Sequence, residues 1–161
     1  MVWLEYMDKL LMLLVFKEEH LLQHMLMGEI EIFIPDKKFK NSQKEIVRCF
    51  KSQVGKPYVY GAAGPNSFDY SGLAYYCHGK SIPRVSSDQA RGGIYVSKSN
   101  LQPGDLMFWD TEVNGTVGHT TIYIGNGKMI HAPQPGEFVK ETSISGSYWD
   151  PRYVTARRYW S

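Results

Sequence analysis

The chain has 161 residues, 43% of them hydrophobic and 21% charged, which suits one domain with a small appendage and excludes a disordered polymer. A net charge of +2, with no basic run interleaved with aromatics, excludes nucleic acid as an expected partner. The only cysteines, Cys49 and Cys77, are too few for a disulfide framework and lack the CxxC spacing of a metal site.

Residues 1–41 read as an N-terminal extension. Leu10 to Phe16 is an apolar run of seven residues, less than half of what a membrane span needs. Glu5 and Asp8 precede it and no small-residue cleavage site follows, so it does not read as a secretory leader. The spacing of Leu10, Leu11, Leu14, Leu21, Leu22 and Met25 predicts a helix over most of Tyr6 to Met27, ended by Gly28. His20 and His24 stand at i and i+4 on it, but no glutamate follows the first as a zinc peptidase helix requires, so neither a metal nor a cofactor is expected. Glu29 to Pro35 alternates charged residues with Ile30, Ile32 and Ile34, the pattern of a half-buried strand.

From residue 42 onward the pattern is that of a second unit, 42–161. Ser42 to Glu45 is a capping box, and Ile46, Val47, Phe50 and Val54 form an apolar stripe. A helix from Gln43 to about Val54 follows, stopped by Gly55 and Pro57. Gly61, Gly64 and Pro65 punctuate a loop; Asn66, Ser67 and Asp69 then offer caps to a helix over Asp69–His78. Leu73, Tyr76 and Cys77 form its inward face and Gly79 closes it. Ser86 to Arg91 reads as a short helix, and the turn Leu101 to Asp105 delivers a strand at Leu106–Trp109. Thr120–Ile124 and Lys128–His131 form a hairpin through Gly125-Asn126-Gly127, and Val154–Tyr159 makes a last strand. Helices followed by hairpin strands predict an α+β fold, with helices on one side of an antiparallel sheet.

A side chain at Tyr70 or Ser71 sits in the positive end of the second helix's dipole, where chains place a nucleophile or an anion. Two histidines, His119 and His131, lie on the hairpin. A three-residue loop puts them on one face, a diagonal step apart; a two-residue loop puts them on opposite faces.

The stretches Gly55-Lys-Pro-Tyr-Val-Tyr-Gly61, Phe68-Asp-Tyr-Ser-Gly-Leu73, Pro83-Arg-Val-Ser86, Leu101-Gln-Pro-Gly-Asp-Leu106 and Gly118-His119 through His131 resemble, in order and spacing, the NlpC/P60 family of papain-like cysteine peptidases. The likeness spans about Ser42 to Tyr159. It implies a papain-like NlpC/P60 fold and a lineage of endopeptidases that cut the D-Glu to diamino-acid bond of peptidoglycan stem peptides. It also implies peptidoglycan peptides or muropeptides as partners and a secreted or wall-facing location. By the same resemblance His119 is the general base and His131 the polar residue that orients it. Tyr58 lines the cleft near the oxyanion, and Asp69, Arg84 and Ser86 hold the free amine and carboxylate of a stem peptide.

One position departs from the pattern. The family's nucleophile is the cysteine of Asp-Cys-Ser-Gly, and here that position is Tyr70. A phenol with a pKa of about 10, its oxygen several ångströms beyond a cysteine sulfur, cannot take over the attack. Losing the nucleophile of such a triad costs on the order of a millionfold in turnover. Ser71 is rotated about 100° around the helix and Cys77 lies about 10 Å farther along it, so neither replaces it. The expectation is an inactive or strongly impaired peptidase. The alternatives are a pseudoenzyme that binds muropeptides or other peptides, or an amidase or acyltransferase relative of the same fold. Tyr70 is expected at the helix start with both histidines within reach of its ring.

Overall fold

The computed structural model describes residues 42–161; the helix read over Tyr6–Met27 and the strand read over Glu29–Pro35 lie outside them. Helix α1, Gln43–Ser52, starts where the capping box places it: the Ser42 hydroxyl accepts from the Glu45 amide and donates to the Glu45 carboxylate. Its apolar stripe buries Ile46 and Phe50. Helix α2, Tyr70–Cys77, is capped by Asp69, whose carboxylate accepts from the Gly72 amide at 2.6 Å. A Cβ at Gly72 would run into the carbonyl oxygen of Ala62, so the preceding loop can lie against the first turn of α2 only because that residue is glycine. Leu73, Ala74 and Cys77 face inward, while Tyr76 sits at the rim with its ring edge on Phe68. Helix α3 is a single turn, Ser86–Gln89, two residues shorter than its sequence predicts.

The sheet comprises β1 (Ile94–Val96), β2 (Leu106–Trp109), β3 (His119–Gly125), β4 (Lys128–His131), β5 (Lys140–Ser143) and β6 (Tyr153–Arg158), in the order β1-β6-β2-β3-β4-β5, with every pairing antiparallel. Strand β2 is buried on both faces. Leu106 and Phe108 point into the main core with Ile46, Phe50, Phe68, Leu73, Ile122 and Ile130. Met107 and Trp109 point into a smaller core with Val96, Met129 and Ala156. Among the described residues the α-helices contribute to the first of these cores, as the α+β reading expects. Strands β1 and β5 have no counterpart in the sequence reading: Ile94 and Tyr95 of β1 are exposed, and Lys-Glu-Thr-Ser in β5 offers no apolar alternation.

The two cysteines correct the sequence reading. Cys49 of α1 and Cys77 of α2 form a disulfide with a Cα–Cα separation of 5.5 Å. Two cysteines make no framework by count, but packing α1 against α2 brings these two together across 28 residues of chain. Their bond also removes Cys77 as a thiol. Replacing both by alanine is expected to lower the unfolding free energy by about 2–4 kcal/mol, read from urea denaturation beside the oxidised wild type; an unchanged midpoint would show that packing alone holds the two helices.

Candidate active site

The site begins at the Asp69 carboxylate. Oδ1 accepts from the Gly72 amide at 2.6 Å and from Arg84 Nη1 at 3.1 Å; Oδ2 accepts from the Gly61 amide at 3.0 Å and from Arg84 Nη2 at 2.7 Å. Asp69 is 5% exposed, and a buried carboxylate persists only when its oxygens are filled in this way. Its hydrogen bonds hold the Arg84 guanidinium above its ordinary pKa. Arg84 Nη1 also donates to the Ser71 hydroxyl at 3.0 Å, so Ser71 is tied to the ion pair.

The hairpin settles the question of parity. Ile122 pairs with Ile130 and Tyr123 with Met129, and the register then slips so that Gly125 faces Lys128. That register places His119 and His131 on one face, and His119 Nε2 lies 2.9 Å from His131 Nδ1. Both are 4% exposed. Burial, reinforced by the neighbouring His131, pushes His119 well below its ordinary pKa. Burial, with Lys140 adding to it, pushes His131 down to about 4. Both imidazoles are therefore neutral at pH 7. His131 Nε2 is buried without a hydrogen-bond partner, and Trp149 packs on both rings, stacked on His119 and edge-on to His131.

Tyr70 is the first residue of α2. Its ring meets His119 edge to face at 5.0 Å, and the Tyr58 ring lies 6.4 Å away from it. The Tyr70 ring thus touches His119, which is in turn bonded to His131, and all three line one cavity. Burial and then Asp69 raise the Tyr70 pKa; burial and then Tyr70 push Tyr58 up to about 12. Both phenols are neutral.

Two cavities meet at Tyr70 and Gly118, which line both. One, of about 380 Å³, is lined by Asp69, Arg84 and Ser86 together with Tyr60 and Val85. The other, of about 550 Å³, is bounded by Tyr58, His119, His131, Lys140 and Trp149. The residues singled out in the sequence, Tyr58, Asp69, Tyr70, Arg84, Ser86, His119 and His131, therefore all line one continuous cleft. Ser86 is only 5% exposed and its hydroxyl engages Thr120 at 2.9 Å, so the hydroxyl faces the interior rather than an open ligand position. Sequence reasoning missed Trp149, whose segment carries no periodic pattern, and the buried pair Gln89 and Thr120. Among the described residues no group of three or more His, Cys, Asp or Glu side chains converges as a metal site would.

Residues 55–158 match the NlpC/P60 family. The chain belongs to the NlpC/P60 family. It is 38% identical over 128 residues to the murein DD-endopeptidase MepH of Escherichia coli, covering 75% of this chain and 47% of that protein. It is 36% identical over 119 residues to the gamma-D-glutamyl-L-lysine dipeptidyl-peptidase of Bacillus cereus, covering 71% and 36%. A crystal structure of an NlpC/P60 family protein from Bacillus cereus superposes with a TM-score of 0.71 at 32% identity, covering 74% of this chain and 41% of that one. The chain spans less than half the length of each of these three NlpC/P60 proteins.

The neutral histidines make stability depend on pH. His78, wholly buried against Phe50 and Tyr159, is also pushed down to about 4 by burial. The folded pKa values lie below the ordinary 6.5, so the unfolded chain takes up protons first as the pH falls. The stability is complete above pH 6.5 and is lost toward about pH 4. Urea midpoints are expected to fall steadily between pH 7 and pH 5, roughly the upper part of that window; a flat profile would show that these rings ionise freely in the folded protein.

Proposed function

We propose that this NlpC/P60 chain binds peptidoglycan stem peptides along the cleft on either side of Tyr70, and that it cleaves the D-Glu to diamino-acid amide poorly or not at all because Tyr70 occupies the family's cysteine position. The observation that carries the reading is the place of Tyr70: first residue of α2, with its ring 5.0 Å from that of His119, which in turn is bonded to His131. In a cysteine peptidase, a thiolate at this point attacks the amide carbon, an S–C bond forms, and the imidazole returns the thiol's proton to the departing amine. With the shared hydrogen on His119 Nε2, its Nδ1 keeps the lone pair that task needs. Tyr70 supplies a neutral phenol at the end of a ring that fills the attack position.

No other group in the site takes over. Ser71 is held by Asp69 and Arg84, and Cys77 is in a disulfide. In this reading residues 42–161 form the peptidase-type domain and residues 1–41 an extension to it. His119 is the base, His131 its orienting partner, Tyr58 lines the reacting centre, and Asp69 and Arg84 form the wall that receives one end of a stem peptide, with the Ser86 hydroxyl turned inward behind it. The names of the relatives support a substrate in peptidoglycan: one is a murein endopeptidase and another acts on a gamma-D-glutamyl-L-lysine linkage.

The test is cleavage of a defined muropeptide, followed by mass spectrometry, with calorimetry for binding. The wild type is expected to bind without turnover, and Tyr70→Cys to gain cleavage by on the order of 10⁴–10⁶-fold, a gain that Tyr70→Cys combined with His119→Ala abolishes. Wild-type cleavage at the rate of the cysteine variant would overturn the impairment, and absence of binding by both would overturn the peptide-binding reading.

A further inference from the structure

Gln89, the last residue of α3, is wholly buried, and a buried amide is tolerated only when each of its polar atoms has a partner. Nε2 gives one hydrogen to the carbonyl of Ser71 at 3.0 Å and the other to the carbonyl of Pro83 at 2.8 Å. Oε1 stands 3.0 Å from Thr120 Oγ1. That hydroxyl is also 2.9 Å from Ser86 Oγ. A hydroxyl has one hydrogen and Oε1 can only accept, so the Thr120 hydrogen goes to Gln89 and Ser86 supplies its own to Thr120. The main-chain carbonyl of Gln89 accepts in addition from the Tyr159 hydroxyl at 2.7 Å, just beyond the end of β6.

Each side-chain partner is one residue from a group in the cleft: Ser71 follows Tyr70, Pro83 precedes Arg84, and Thr120 follows His119. Among the described residues no hydrogen bond runs directly from α2 to β3; their contact is apolar packing, which is non-directional and leaves a helix free to slide. We propose that Gln89 is a positioning residue, whose amide fixes the first turn of α2 against β3 and so sets the distance between the side chain at position 70 and the His119 ring, while seating Arg84 against Asp69. The inference rests on the reading of this cleft as the functional site. Its chemistry is specific to glutamine: methionine keeps the length without the three bonds, and glutamate would turn a carboxylate toward two carbonyl oxygens.

The decisive measurement needs no turnover. The Tyr70 ring current shifts the His119 ring protons, and the size of that shift is the difference in NMR between the chain and its Tyr70→Leu counterpart. Gln89→Met and Thr120→Val are each expected to change that difference, while Thr120→Ser, which keeps the hydroxyl, leaves it as it is. In the Tyr70→Cys chain, Gln89→Met is expected to lower kcat on a muropeptide by about 10–100-fold with KM moved less than about threefold. If Gln89→Met does not fold, the Val and Ser variants at Thr120 decide the matter. An unaltered ring-current difference in folded Gln89→Met, or Thr120→Ser behaving like Thr120→Val, would overturn the inference. An inactive Tyr70→Cys chain would count against the peptidase reading instead and leave the NMR comparison to judge Gln89.

Discussion

A buried negative charge has to be met from several directions at once, and Asp69 is met by three separate segments of the chain. The Gly61 amide comes from the loop after α1, the Gly72 amide from the first turn of α2, and the Arg84 guanidinium from the segment before α3. With Arg84 33% exposed and the carboxylate nearly sealed, the pair presents a guanidinium edge to the smaller cavity while its anion stays inside. Removing any one donor leaves a desolvated carboxylate short of partners, which costs more than the bond itself is worth. The capped start of α2 and the placement of Ser71 and Arg84 are tied to that one group.

The other half of the site is held by a different logic. His119 and His131 are neutral, sealed by Trp149 above and by the sheet below, and joined by a single shared hydrogen. A low-dielectric pocket favours the uncharged form of each ring and strengthens whatever hydrogen bond remains. Such a base is ready to accept a proton from a strong enough acid placed beside it. The phenol that stands there, itself pushed up by burial, is a weak one. Under the proposed function the histidine pair and the phenol at position 70 are thus mismatched in acidity, although the Tyr70 and His119 rings touch.

Much of this was legible in the residues. Ser42 with Glu45 marked the start of α1, Asp69 marked that of α2, and the Gly125-Asn126-Gly127 turn marked the hairpin. What sequence left open depended on features with no local signature. The parity of the hairpin turned on a register slip between Tyr123 and Gly125, which a turn sequence does not fix. The disulfide required the packing of two helices whose cysteines lie 28 residues apart in the chain. Strands β1 and β5 are edge strands, short and solvent-facing, formed because β6 and β4 offer them a ladder rather than because their residues demand it. Ser86 was read as facing a ligand from its place in a motif; its hydroxyl turns inward because Thr120 and Gln89 beneath it need a donor to complete their chain.

Both cysteines of the chain are spent on one bond, and none is free. A thiol peptidase lives with a chemical weakness: the same thiolate that attacks an amide is open to peroxide, climbing from sulfenic to sulfinic acid. This cleft holds no sulfur that can make that climb. Oxidising surroundings, which silence a thiol enzyme, instead keep the tie between α1 and α2 closed. While that tie is closed, alkylating reagents that label cysteine nucleophiles find no thiol to react with, and a change to reducing surroundings registers at the helix cross-link.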